Sequence, residues 1–274
     1  MAQFTFNLIH FNIALFSYLS IDILAMLVGK LNGVWKRTVV SSISNFCKVA
    51  FSTRPLNEKY VTIKPNCVYM VSSGNPIIFD GSIEQNDMRK HLNQGDFVSI
   101  VDQDKNCLAR GFYNNESMYC VRVLASGASP LLDEPDWKVI LKERISIAVK
   151  RRTELCLHKF TDCYRLINGE GDMLSGLIAD QVGDECIIIQ SSANWTEMYK
   201  ELIVEIFNGI FNGPEAETPV RIIFTSHTNR IKQDGYLEPA APLTEDDRSF
   251  LLDKIIIENG IKYKIFDSET PEST

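Results

Sequence analysis

Gly95-Asp96-Phe97-Val98-Ser99-Ile100-Val101, then Asp102 to Asn106, then Cys107-Leu108-Ala109-Arg110-Gly111-Phe112-Tyr113 read as two apolar runs of strand length around a short polar turn. Gly95-Asp96 opens the first run, and the polar residues between the two have the length and character of a hairpin loop. Tyr119-Cys120-Val121-Arg122-Val123-Leu124 repeats the rhythm, and Val61-Thr62-Ile63 precedes it. Cys67 to Val71 alternates as one more strand, ended by the breaker cluster Ser72-Ser73-Gly74-Asn75-Pro76. Roughly 65 residues of short strands and turns suffice for a small closed β-barrel, which the sequence places at residues 61–128.

Residues 129–160 read as a linker and a helix. Ser126 to Pro135 is a loop, and Asp136 begins a helix on which Trp137, Ile140, Leu141, Ile145, Ala148 and Val149 recur at helical spacing. Its cations, among them Lys150-Arg151-Arg152, lie elsewhere around the axis, either solvated or facing a phosphate backbone. Residues 161–266 are strand-rich again, with strands at Tyr164 to Ile167, Gly176 to Asp180, Glu185 to Gln190 and Val220 to Thr225. One helix from Trp195 to Phe207 separates the last two. The fold class is therefore mixed α+β: a small barrel followed by a strand-helix-strand module, with no complete Rossmann domain. Gly169-Glu170-Gly171-Asp172 follows a strand, as a phosphate-binding loop does, but Leu174 stands where a third glycine belongs and a strand comes next. A hairpin with glycine at positive φ is the better reading.

The 274 residues carry a net charge of −7, which excludes a generic nucleic-acid sponge and confines any RNA contact to placed cations. That charge is unevenly spread: residues 1–60 hold six Lys or Arg against Asp22 and Glu58, giving +4 and leaving −11 for the rest. Phe11 to Val28 is nearly continuously apolar but interrupted by Asp22, and Lys30 to Arg54 is basic and Ser-rich without an acid. This transit-peptide chemistry predicts an organelle-targeting leader, for mitochondrion or plastid; a retained membrane anchor or an ordinary buried helix in a cytoplasmic protein are the other readings. Seven cysteines without a C-x-x-C pair read as reduced thiols. His10, His91, His158 and His227 lack ligand spacing, so no metal is expected.

The run Tyr164 to Asp172, with Leu174 and Gly176-Leu177-Ile178-Ala179-Asp180, resembles the middle domain of PUA-containing large-subunit ribosomal RNA (cytosine-5) methyltransferases. Gly95 to Val98 with Asp102, Leu108 to Tyr113 and Ser117 look like that family's PUA core, and Gly74 to Phe79 looks like its opening helix, with Ile77 where an aromatic is usual. Gly235 to Pro239 and Glu258 to Lys264 resemble its passage into the catalytic domain, so the likeness runs from Val61 to Phe266. The resemblance implies RNA binding, a ribosomal target, a homodimer and, in a following Rossmann-type domain, S-adenosylmethionine with a reactive cysteine. Asp267 to Thr274 is a tail too short for that domain, and no cysteine here matches the catalytic position. The expectation is thus an RNA-binding protein with no catalytic and no cofactor residues; a truncated gene model of an active methyltransferase and a membrane-anchored scaffold are the alternatives. Candidate RNA-binding residues are Lys64, Arg89 and Lys90 near the barrel opening, Arg110 and Arg122 on its strands, Tyr113 as a stacking ring, and Lys150, Arg151, Arg152 and Arg165.

Overall fold

A computed structural model describes residues 59–127, 129–214, 218–236 and 243–265. The leader or anchor expected at residues 1–60 thus lies, but for its last two residues, outside the described part, as does the tail at 267–274. Among the described residues no helix is long and apolar enough to cross a membrane.

The quoted runs form β3 (Phe97–Val101) and β4 (Cys107–Tyr113), paired antiparallel. Asp102 fixes their turn: its carboxylate accepts the N–H of Asp104 at 2.9 Å, the N–H of Asn106 at 2.8 Å and the Asn106 side chain at 2.8 Å. β5 (Val121–Ser126) pairs with β4, β1 (Tyr60–Thr62) lies parallel to β3, and β2 (Ile77–Ile78) closes the far edge, giving the order β1-β3-β4-β5-β2. A lone bridge from Ile63 to Ile83 joins the chain beyond the two short edge strands. The expected closed barrel is therefore a sheet curled into a half-barrel, its edges too short for full closure. At Gly111 a bulge brings β5 so close that a Cβ would lie 2.2 Å from the Arg122 carbonyl oxygen, which leaves room only for glycine.

Two local expectations at the barrel entrance are corrected. Cys67 to Val71 is not a strand: Pro65 starts a 3-10 turn that runs into α1 (Val68–Ser72), and Gly74 at φ +93° follows its end. Nor is Gly74 to Phe79 a helix. Pro76 has no N–H to give a helix, and its carbonyl accepts the Val123 N–H at 2.9 Å, so the segment becomes a turn and then β2.

Asp136 caps α2 (Trp137–Glu154) by accepting the Lys138 N–H at 2.9 Å, and Ile140, Leu141, Ile145 and Ala148 are buried. The second sheet follows: β6 (Cys163–Asn168), β7 (Leu177–Val182) and β8 (Cys186–Ser191) form an antiparallel meander. β9 (Arg221–Ser226) lies parallel to β8. Gly169 adopts φ +45°, as the hairpin reading requires. The single helix expected between β8 and β9 is two, α3 (Asn194–Met198) and α4 (Lys200–Phe211), broken at Tyr199. That ring stacks near Trp137, centroids 4.5 Å apart, and its hydroxyl donates to the Gly95 carbonyl at 3.0 Å, which anchors the break to β3's entrance. α5 (Thr228–Gln233), α6 (Glu245–Leu252) and the hairpin β10 (Ile255–Glu258) with β11 (Ile261–Lys264) complete the mixed α+β fold.

Candidate nucleic-acid interface

Three of the expected RNA-binding residues point inward. Arg110 has no exposed surface, and its Nη1 donates to the Glu134 carbonyl at 2.6 Å. Arg122 donates from Nη2 to Asp234 at 2.8 Å and from Nη1 to the Ser175 hydroxyl at 2.7 Å, with both charged side chains less than a tenth exposed. Tyr113 is buried, and its hydroxyl accepts a bond from Arg89 at 3.4 Å. These are corrections: a β-strand buried on both faces has no solvent side to give to phosphates, and β4 and β5 are buried along their whole length.

The remaining candidates form two groups. At the barrel opening Lys64 donates to the Gly81 carbonyl at 2.7 Å, while Arg89 and Lys90 line a shallow depression of about 510 Å³ with Gln85, Asn86 and Tyr113. Arg89 is held by Asp80 and is only 12% exposed. Burial pushes the neighbouring Cys120 thiol up to about 11. At the end of α2, Arg152 forks onto Asp172 at 2.8 and 2.6 Å, and Arg165 pairs with Asp180 at 2.9 Å. Burial works to raise the Asp172 carboxyl, but Arg152, the Asn168 N–H and Arg151 outweigh it and hold the group below its ordinary value. Arg151 remains 54% exposed, and Lys150 reaches only Glu154 among the described residues, at 3.8 Å.

A deeper cleft of about 520 Å³ opens where the two sheets meet. Its barrel wall is Ser117, Met118, Tyr119 and Arg122; the opposite wall is Glu170, Ser192, Arg230 and Gln233, with Asp234 at the base of α5. That volume is within the range of about 300–1,000 Å³ typical of small-ligand sites. The Arg122 guanidinium lies 5.2 Å from the Tyr119 ring centroid, and Phe79 meets that ring edge-on at 5.5 Å. Glu170 accepts a bond from Ser175 at 2.8 Å. Asp234 also accepts the Asn194 N–H at 2.8 Å, so one buried carboxylate ties β5 to α3. Sequence reading missed Tyr119, Phe79, Glu170 and Arg230. Tyr119 was assigned to a strand that begins only at Val121, and nothing near Arg230 marks it out.

Known proteins resemble this chain in parts. Residues 61–126 match the PUA-like domain family. A ribosomal RNA large subunit methyltransferase of Deinococcus radiodurans is 30% identical over 142 residues, covering 50% of this chain and 33% of that protein. Ribosomal RNA large subunit methyltransferase I of Escherichia coli is 32% identical over 119 residues, 43% of this chain and 28% of that protein. A solved structure from Streptococcus mutans, described as a SAM-dependent methyltransferase, superposes with a TM-score of 0.53 at 14% identity. It covers 76% of this chain and 48% of that one. The chain thus spans about a third of the length of these curated relatives. Residues 61–126 are similar to the PUA-like domain family, and about half of the chain is similar in sequence to large-subunit ribosomal RNA methyltransferases.

Proposed function

We propose that the chain binds structured RNA, with ribosomal RNA as the target class, and that residues 59–265 hold the RNA rather than transfer a methyl group to it. The PUA-like barrel at residues 61–126 is the observation that carries this reading. Addition to cytosine C5 requires a thiolate, and burial raises the thiols of Cys120 and Cys186 to about 11 and that of Cys163 upward as well. These groups suit packing, not nucleophilic attack. The curated relatives favour a second reading, in which the segment is the RNA-holding front of an active S-adenosylmethionine-dependent methyltransferase; the role of residues 59–265 is the same in both.

Fluorescence anisotropy of the full chain with a structured ribosomal RNA fragment tests the shared role. Binding should be on the order of micromolar and weaken steeply with salt, and replacing exposed Lys150 and Arg151 together by Ala should lower the salt slope by about 1–2. Salt-independent or absent binding would sink the proposal. Calorimetry tests what both readings share: S-adenosylmethionine should release no heat on this chain, and saturable cofactor binding would overturn the assignment of residues 59–265 to RNA holding alone.

A further inference from the structure

The cleft combines an exposed ring with a cation that makes no ion pair among the described residues. Arg230 is exposed and makes no ion pair among the described residues. Tyr119 stays 37% exposed although Arg122 and Phe79 fix its plane, and Met118 beside it is 66% exposed. An aromatic ring held in place and partly wet, facing a cation across a cleft, is an arrangement that can stack an unpaired base while the cation takes a flanking phosphate. Across the cleft, exposed Glu170 uses one oxygen on Ser175 and leaves acceptor capacity on the other. A carboxylate accepts hydrogen bonds and gives none, so it favours a base that offers an amino group.

Resting on the RNA-binding reading above, we infer that this cleft takes one unpaired nucleobase bearing an exocyclic amine, stacked on Tyr119, with Glu170 accepting from the amine and Arg230 on the flanking phosphate. Cytosine, adenine and guanine fit this chemistry. Uracil has no exocyclic amine and offers a carboxylate only its ring N3–H, flanked by two carbonyl oxygens that repel it.

The test uses the full chain and a set of RNA hairpins that differ only in one bulged nucleotide, cytosine, adenine or uracil, together with a fully paired control, read by anisotropy at fixed salt. Bulged cytosine and adenine should bind about ten-fold more tightly than bulged uracil or the control. Tyr119→Ala should remove that advantage and Tyr119→Phe, which keeps the ring, should retain it. Glu170→Gln should narrow the gap between cytosine and uracil while preserving the gain of either bulge over the duplex. If every hairpin binds equally and Tyr119→Ala changes nothing, the cleft inference fails although RNA binding stands. If no hairpin binds at all, the RNA-binding reading fails with it.

Discussion

Arg122 and Asp234 stand 112 positions apart in the chain and meet as a buried pair at 2.8 Å. Taking two charges out of water is costly, and further bonds offset part of that cost: Ser175 accepts a second Arg122 N–H and Asn194 donates to the second carboxylate oxygen, while the Arg122 Nε stays buried without a partner among the described residues. Asn114 adds a bond to the Asp234 backbone carbonyl at 2.7 Å. Removing the arginine would strand the carboxylate in a dry site. Arg122→Ala should therefore lower stability by about 3–5 kcal/mol in urea denaturation, and Arg122→Ala with Asp234→Ala should cost clearly less than the two single losses added together. Additive losses would show that the two charges do not act as a pair. An arginine in a strand reads from sequence as a surface cation; only a partner more than a hundred residues away reveals the inward one, and no local pattern encodes that distance.

At the scale of elements, α2 is bound to the second sheet by its last turn as well as by its apolar stripe. Arg152 reaches the buried Asp172 in the turn between β6 and β7 and also donates to the Arg165 carbonyl at 3.1 Å. The Asp172 carboxyl is held below its ordinary value in the folded chain, against the pull of burial. A depressed carboxylate contributes stability that is fully present above its unfolded pKa of about 3.9 and is lost as pH falls through the lower folded value. Asp172→Asn should thus destabilise the chain at pH 7, with the gap to the unchanged protein shrinking as pH drops below about 4; a gap that stays constant with pH would remove Asp172 from the acid response. The helix itself was legible, because Asp136 and the spacing of Ile140, Leu141 and Ile145 are local signals. So were β3 to β5, whose apolar runs have strand length. The break at Tyr199 was not: it depends on a hydroxyl reaching Gly95, 104 positions back. α1 was hidden because five residues are too few to display helical periodicity.

At the scale of the whole described region, the two sheets share one large apolar cluster, beside a second that lies within the barrel and a small third under the last helix. Phe112 of β4 stacks on Trp195 of α3 at 4.7 Å and meets Trp137 of α2 and Tyr199 at 5.2 and 5.3 Å. Leu124, Leu141, Ile167 and Phe207 belong to the same buried cluster, so neither sheet can open without exposing surface of the other. Cooperative unfolding is the consequence. The slowest-exchanging amides of β3 to β5 and of β7 to β8 should report the same opening free energy, and near-ultraviolet circular dichroism of the aromatic cluster should lose its signal at the same urea concentration. Phe112→Ala should lower the stability seen by both sheets together, by about 3–5 kcal/mol. Two separate transitions, or a loss confined to the barrel amides, would mean that the sheets are independent units. The cleft that opens where they meet would then lack fixed walls, because Tyr119 and Arg122 stand on one sheet's chain and Glu170 on the other's. Coupled unfolding of the sheets is thus a physical requirement for a cleft that selects among bases, and hydrogen exchange measures it without any RNA present.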